Sequence, residues 1–136
     1  MIHQLEKMCR QKDFDIAVAK DIICKIDVNQ VFPSSKHSMD TTLLSCAAEE
    51  ANYKMVELLL KHGANPNLIY GKEGYEASAL WDLQYSCDNE EDDVIRLNIV
   101  QLLLENGASP HLKVEGYDLL LWAISNWGKD EGLQDK

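Results

Sequence analysis

Apolar residues recur at helical spacing in two segments that match each other. Met55, Val56, Leu58, Leu59 and Leu60 lead to Gly63 and Pro66, and Ile99, Val100, Leu102, Leu103 and Leu104 lead to Gly107 and Pro110. Spacing of this kind places the apolar side chains along one helical stripe. Glycine just past the stripe takes the left-handed backbone conformation that ends a helix, and proline stops it from continuing. Segments that share both the stripe and the stop form an internal repeat, so residues 55–67 and 99–111 predict two equivalent helix-plus-loop units.

A shorter helix is predicted over residues 43–50, where Leu44, Ala47 and Ala48 make an apolar face small enough for close helix packing. The stretch Thr42-Leu43-Leu44-Ser45-Cys46-Ala47 resembles the ankyrin signature T-P-L-H-x-A. The spacing from Thr42 to Gly63 is also that family's, with no insertion or deletion. Leu43 replaces the usual proline, Ser45 the usual histidine, and Ala51 the glycine between the paired helices. Residues 42–67 therefore resemble one clean ankyrin repeat.

Its neighbours are looser. Ser78-Ala79-Leu80-Trp81-Asp82-Leu83 stands at the signature of a second repeat, residues 68–111, with Trp81 at the histidine position. Gly107 follows Gly63 by 44 positions, against a period of about 33 in ordinary ankyrin repeats. The surplus is expected in a longer hairpin loop at 68–77 and in an acidic insertion near 87–93, and repeat proteins often bind through such insertions. Residues 112–128 read as a partial third repeat, with Gly116 and Ala123 at the family's turn-glycine and helix-alanine positions, followed by a polar tail at 129–136. Upstream, 2–10 and 14–24 read as a helix pair. Asp27-Val28-Asn29 resembles the tripeptide that often follows an ankyrin glycine, although Lys25 stands at the glycine. Residues 1–41 are expected to form a degenerate N-terminal capping repeat. The resemblance implies an all-α fold, an ankyrin-repeat solenoid of helix-turn-helix pairs joined by hairpin loops. It is expected as a single domain over 1–136 with about three to four repeats counting the caps.

A chain of 136 residues, 46% hydrophobic, is long enough for one domain with a core of its own. Its charge changes the picture more. Thirteen Lys and Arg against 23 Asp and Glu leave a formal charge of −10. Nucleic acids and anionic membranes are disfavoured, since both are bound through Lys and Arg. A basic protein partner suits the charge, although net charge also serves solubility alone. Cys9, Cys24, Cys46 and Cys87 form no C-x-x-C pair and have no histidine at zinc-finger spacing. They read as small apolar residues of a reducing cytoplasm. The first residues hold no continuous apolar stretch of the secretory type, and the apolar run at 119–124 is far too short to cross a bilayer.

The search for chemistry yields no catalytic, cofactor-binding or metal-binding residues. Asp88, Glu90, Glu91, Asp92 and Asp93 supply oxygens of the kind Ca²⁺ and Mg²⁺ take, but Ile99 stands where an EF-hand's bidentate glutamate belongs. A solvated loop is the expected state of this segment. His3, His37, His62 and His111 show no zinc-protease spacing, and no nucleophile elbow or phosphate-binding loop is present. The expectation is a protein without enzymatic activity and without cofactor.

What the resemblance implies instead is recognition, on a concave surface of inner helices and hairpin tips. Matching repeat positions puts Glu49 and Glu50 there, then Tyr85 ahead of the acids Asp88, Glu90, Glu91 and Asp92. At the hairpins come Met39 and Thr41, then Tyr75, then Tyr117, with Trp127 near the third inner helix. Tyrosine and tryptophan give large contact area at low entropic cost. Each has a plainer reading: Glu49 and Glu50 as surface charge, Trp127 as a cover for the open end, Trp81 and Trp122 as core. The expected function is a protein–protein interaction module, monomeric and cytoplasmic, with a basic protein partner. Small size and acidity sharpen it to an immunity-type protein that neutralises a basic toxin. The alternative is a structural or regulatory subunit that docks in a larger assembly through its open C-terminal end.

Overall fold

The computed structural model describes residues 2–11, 13–35, 40–71, 78, 79, 83, 90–109, 113, 114, 117 and 118. In chain order these form α1 (Ile2–Cys9), α2 (Ile16–Ile23), β1 (Phe32–Pro33), β2 (Asp40–Thr41), α3 (Leu43–Glu49), α4 (Tyr53–Lys61), α5 (Glu90–Glu105), β3 (Lys113–Val114) and β4 (Tyr117–Asp118). The described residues are mostly helical. The strands are two-residue hairpin pairs, with Phe32 opposite Thr41 and Val114 opposite Tyr117.

Short polar side chains start the helices. The Asp15 carboxylate accepts from the Ala17 and Val18 N–H groups at the start of α2. Thr42 Oγ1 accepts from Ser45 N–H at α3, and Asn52 Oδ1 from Met55 N–H at α4. Each satisfies a backbone donor that has no partner inside the helix.

Left-handed residues stop them. Gly63 lies at φ 95 and Gly107 at φ 97. At the first, Gly63 N–H donates to Leu60 O and Ala64 N–H to Leu59 O; at the second, Gly107 N–H donates to Leu104 O and Ala108 N–H to Leu103 O. This is one Schellman closure used twice. It occurs a third time after α3, where Ala51 N–H donates to Ala48 O and Asn52 N–H to Ala47 O. There the left-handed residue is Ala51, at φ 54. The position is thus the glycine site of the repeat with an alanine holding the same conformation. No such closure follows α2, where Lys25 N–H reaches only Ile22 O in a tighter turn.

The repeat extends to the core. Met55, Val56 and Leu59 of α4 are buried, as are their counterparts Ile99, Val100 and Leu103 of α5. They join Leu5, Cys9, Leu43, Leu44, Cys46 and Leu83 in one apolar cluster. α1 packs on α2 and α3, α3 on α4, and α4 on α5.

Asparagines tie successive closing loops together. Asn29 Nδ2 donates to Gly63 O at 3.1 Å and its Oδ1 accepts from Asn65 N–H at 2.7 Å. One unit on, Asn67 Nδ2 donates to Gly107 O at 2.9 Å and its Oδ1 accepts from Ser109 N–H at 2.6 Å. Even the local turns agree, with Asn29 N–H on Asp27 Oδ1 and Asn67 N–H on Asn65 Oδ1. Asp27-Val28-Asn29 thus acts as the first member of the series although the glycine before it is missing.

One expectation is corrected. Residues 90–93, read as part of a solvated loop, are the first turn of α5. Position by position Leu97 matches Tyr53, the start of α4, so α5 begins about two turns early, at 3.6 residues per turn. Acids in a first helical turn sit at the positive end of the helix dipole, which favours helix over loop.

Candidate functional site

At the C-terminal end of α3, on the face expected to carry recognition, lies a charge cluster anchored in α1. Glu6 of α1 is fully buried. Its Oε2 accepts from Ser35 N–H at 2.9 Å, Ser34 Oγ at 3.2 Å and Arg10 Nη2 at 3.3 Å, while His3 Nδ1 lies 3.2 Å from Oε1. Burial alone raises a carboxyl's pKa, but the hydrogen bonds, that of Ser35 N–H foremost, win and bring Glu6 from 4.5 to about 2. A carboxylate so engaged is a poor proton acceptor. It ties α1 to the segment after β1.

Arg10 continues the cluster to α3. Its Nη1 donates to Glu50 Oε2 at 2.9 Å and lies 3.6 Å from Glu49 Oε1. Glu49 and Glu50 occupy a helix C-terminus, where the dipole disfavours negative charge, and Arg10 offsets that. Both glutamates are half-buried. They are therefore parts of an internal ion-pair network as well as members of the expected contact row. Asn52 makes a further tie to the C-terminal end of α1. Its Nδ2 donates to Cys9 O at 3.0 Å and Gln11 O at 2.9 Å while its Oδ1 caps α4.

Two thiols lie behind the cluster. Cys46 Sγ is 3.6 Å from both Arg10 Nη2 and Thr41 Oγ1, and Cys9 Sγ is 3.7 Å from Leu43 O. Burial pushes Cys46 up to about 12 and Cys9 well above the usual thiol value. Neither is a nucleophile at neutral pH. Cys24 is exposed. Thr41, expected at a hairpin tip, is buried against α3 because its hydroxyl bonds there.

The remaining expected contact residues divide in two groups. Tyr75, Tyr85, Asp88 and Trp127 lie outside the described residues, as do Met39, Trp81 and Trp122. Glu90, Glu91 and Asp92 occupy the first turn of α5, and Tyr117 lies in β4 opposite Val114. Among the described residues no group of three His, Cys, Asp or Glu is placed to hold a metal ion, and no helix is long and apolar enough to cross a membrane.

A concavity that the sequence did not announce lies between α4 and α5. It encloses about 470 Å³ and is lined by Tyr53, Ile95, Asn98, Gln101 and Glu105. Ile95 belongs to the early turns of α5, so the helical insertion helps to form it. The helical stripe 95, 98, 101, 105 was readable, but its partner Tyr53 is known only from the fold.

No curated protein matches this chain. The family model described as Ankyrin repeat matches residues 39–70, the span of β2, α3, α4 and the Schellman closure at Gly63. Signature, left-handed closures and family match agree that residues 39–70 of this chain are an ankyrin repeat.

Proposed function

We propose that this protein is a non-enzymatic interaction module that binds and neutralises a basic protein, in the manner of an immunity protein and its cognate toxin. Ankyrin repeats are in general protein–protein interaction modules, and typically not enzymes. The observation that carries the finer reading is the charge of −10 on so short a chain, a field that accelerates the approach of a basic partner. The free thiols Cys9, Cys24 and Cys46 suit a reducing cytoplasm.

The contact surface we assign comprises Glu49, Glu50, Tyr75, Tyr85, Asp88, Glu90, Glu91, Asp92, Tyr117 and Trp127. Affinity capture of a basic partner from native lysate, with affinity falling steeply in salt, is the expected result. Replacing Tyr75, Tyr85 and Tyr117 together by alanine should weaken the complex and leave helicity intact. Salt-independent capture removes the electrostatic argument, and full binding by the triple variant moves the contact off the concave side.

One observation favours a second reading, docking in a larger assembly through the C-terminal end. Leu60 of α4 is 7% exposed, whereas its counterpart Leu104 of α5 is 37% exposed and Val94 51%. A homo-oligomer in sedimentation would support it, and a monomer at high concentration would count against self-assembly.

A further inference from the structure

The groove between α4 and α5 has a charge pattern as well as a shape. Its middle is Ile95 with the carboxamides of Asn98 and Gln101, and Tyr53 forms the opposite wall. Glu105 lies at one end of this stripe. At the other end, Glu90, Glu91, Asp92 and Asp93 precede Ile95 along α5, with Val94 between. Along α5 the order is therefore acid, apolar and amide, acid. Asn98, Gln101 and Glu105 are exposed, and Tyr53 is 38% exposed.

Carboxamides both donate and accept, which is the pairing a peptide backbone needs. The stripe from Ile95 to Glu105 runs about 15 Å at 1.5 Å per residue. An extended chain covers that in about five residues at 3.3 Å each. From this we propose that the groove takes an extended basic segment of a partner protein, with a basic residue at each end and an apolar side chain over Ile95 and Tyr53. The proposal rests on the interaction reading above and adds to it a groove on α4 and α5, continuous with the assigned contact residues Glu90, Glu91 and Asp92, and the chemistry of its ligand.

The test uses the full chain, ¹⁵N-labelled, and an end-blocked heptapeptide, Arg-Lys-Ser-Leu-Ser-Lys-Arg. A control peptide of the same composition carries its four basic residues together at one end. The spaced peptide should shift the amide signals of Tyr53, Ile95, Asn98, Gln101 and Glu105 and bind more tightly than the control. Gln101→Arg and Glu105→Lys, both at exposed helical positions, should each weaken binding about tenfold, with circular dichroism unchanged. Equal affinity for the two peptides means diffuse attraction to an acidic surface and overturns the proposal, as does no binding at all. Shifts confined to α3 and the hairpins also overturn it. A partner captured from lysate that binds Gln101→Arg and wild type alike would sink the groove and leave the interaction reading standing. Loss of the groove and loss of the module are thus told apart.

Discussion

Ser45 stands where the ankyrin signature carries histidine, and its hydroxyl is buried with no hydrogen-bond partner among the described residues. An unsatisfied buried hydroxyl costs about 1–3 kcal/mol. Ser45→Ala removes that cost and is expected to raise stability by about 1 kcal/mol, read as a thermal midpoint a few degrees higher. A lower midpoint would mean that the hydroxyl has a partner. Ala51 poses the opposite question, since its left-handed backbone carries a steric cost of about 1–2 kcal/mol. Glycine relieves it but loses a buried methyl worth about 0.8 kcal/mol and loosens the unfolded chain. Ala51→Gly should therefore stay within about 1 kcal/mol of wild type, whereas Ala51→Val, β-branched at positive φ, should lose about 2 kcal/mol or more in urea unfolding. Both departures were legible in the sequence because signature and spacing set the register. The left-handed backbone at Ala51 followed from that register, and the environment of the Ser45 hydroxyl did not.

At the scale of elements, the helices hold one another by their ends. Asn52 caps α4 and at the same time pairs two carbonyls at the end of α1. Asn52→Ala strips three hydrogen bonds at once and is expected to cost about 2–4 kcal/mol. Asn52→Asp, which keeps the cap acceptor but sets a charge against the Cys9 and Gln11 carbonyls, should be no better. Near-wild-type urea midpoints for both would refute this coupling. Glu6 adds a pH dependence. Its folded pKa, about 2, lies below the ordinary 4.5, so its contribution is full above 4.5 and fades as pH falls from there toward 2. The shift corresponds to about 3 kcal/mol. The stability gap between wild type and Glu6→Gln should close across that window, and a gap independent of pH would contradict it. The i,i+4 spacing of Glu6 and Arg10 was visible in the sequence, but their links to Ser34, Ser35 and Glu50 come from chain-distant contacts that no local pattern encodes. The start of α5 was misread for a different reason. A run of acids suggests a solvated loop, yet the same run at a helix N-terminus is a start signal.

At the scale of the molecule, coupling between units passes through the core and through the asparagine rungs. Asn67→Ala removes the bonds to Gly107 O, which is exposed, and Ser109 N–H, which is part-buried, and a loss of about 1 kcal/mol is expected. Its signature should be local: amides of α5 exchange faster with solvent while those of α3 and α4 do not change, because repeat arrays are stabilised by neighbour-to-neighbour terms. Uniform acceleration across all helices would show that the rung has no directional role. The helices of the first 35 residues and the tripeptide at 27–29 were legible, as was the doubled stripe. The ladder was not, since it joins Asn29 to Gly63 and Asn67 to Gly107 across intervals that differ.

That difference carries a consequence for how the chain tolerates change. The first rung spans 34 positions and the second 40, yet the bonds are the same. Spacing between closing loops is fixed by the rung, not by the length of chain between them. Extra sequence is taken up to one side, as the early turns of α5 show. The N-terminal end of α5, ahead of Glu90, is accordingly the natural acceptor for grafted sequence, whereas Ser78, Ala79 and Leu83 are buried. A fluorescent tag or a recognition loop placed there would ride on a frame whose pitch is set elsewhere.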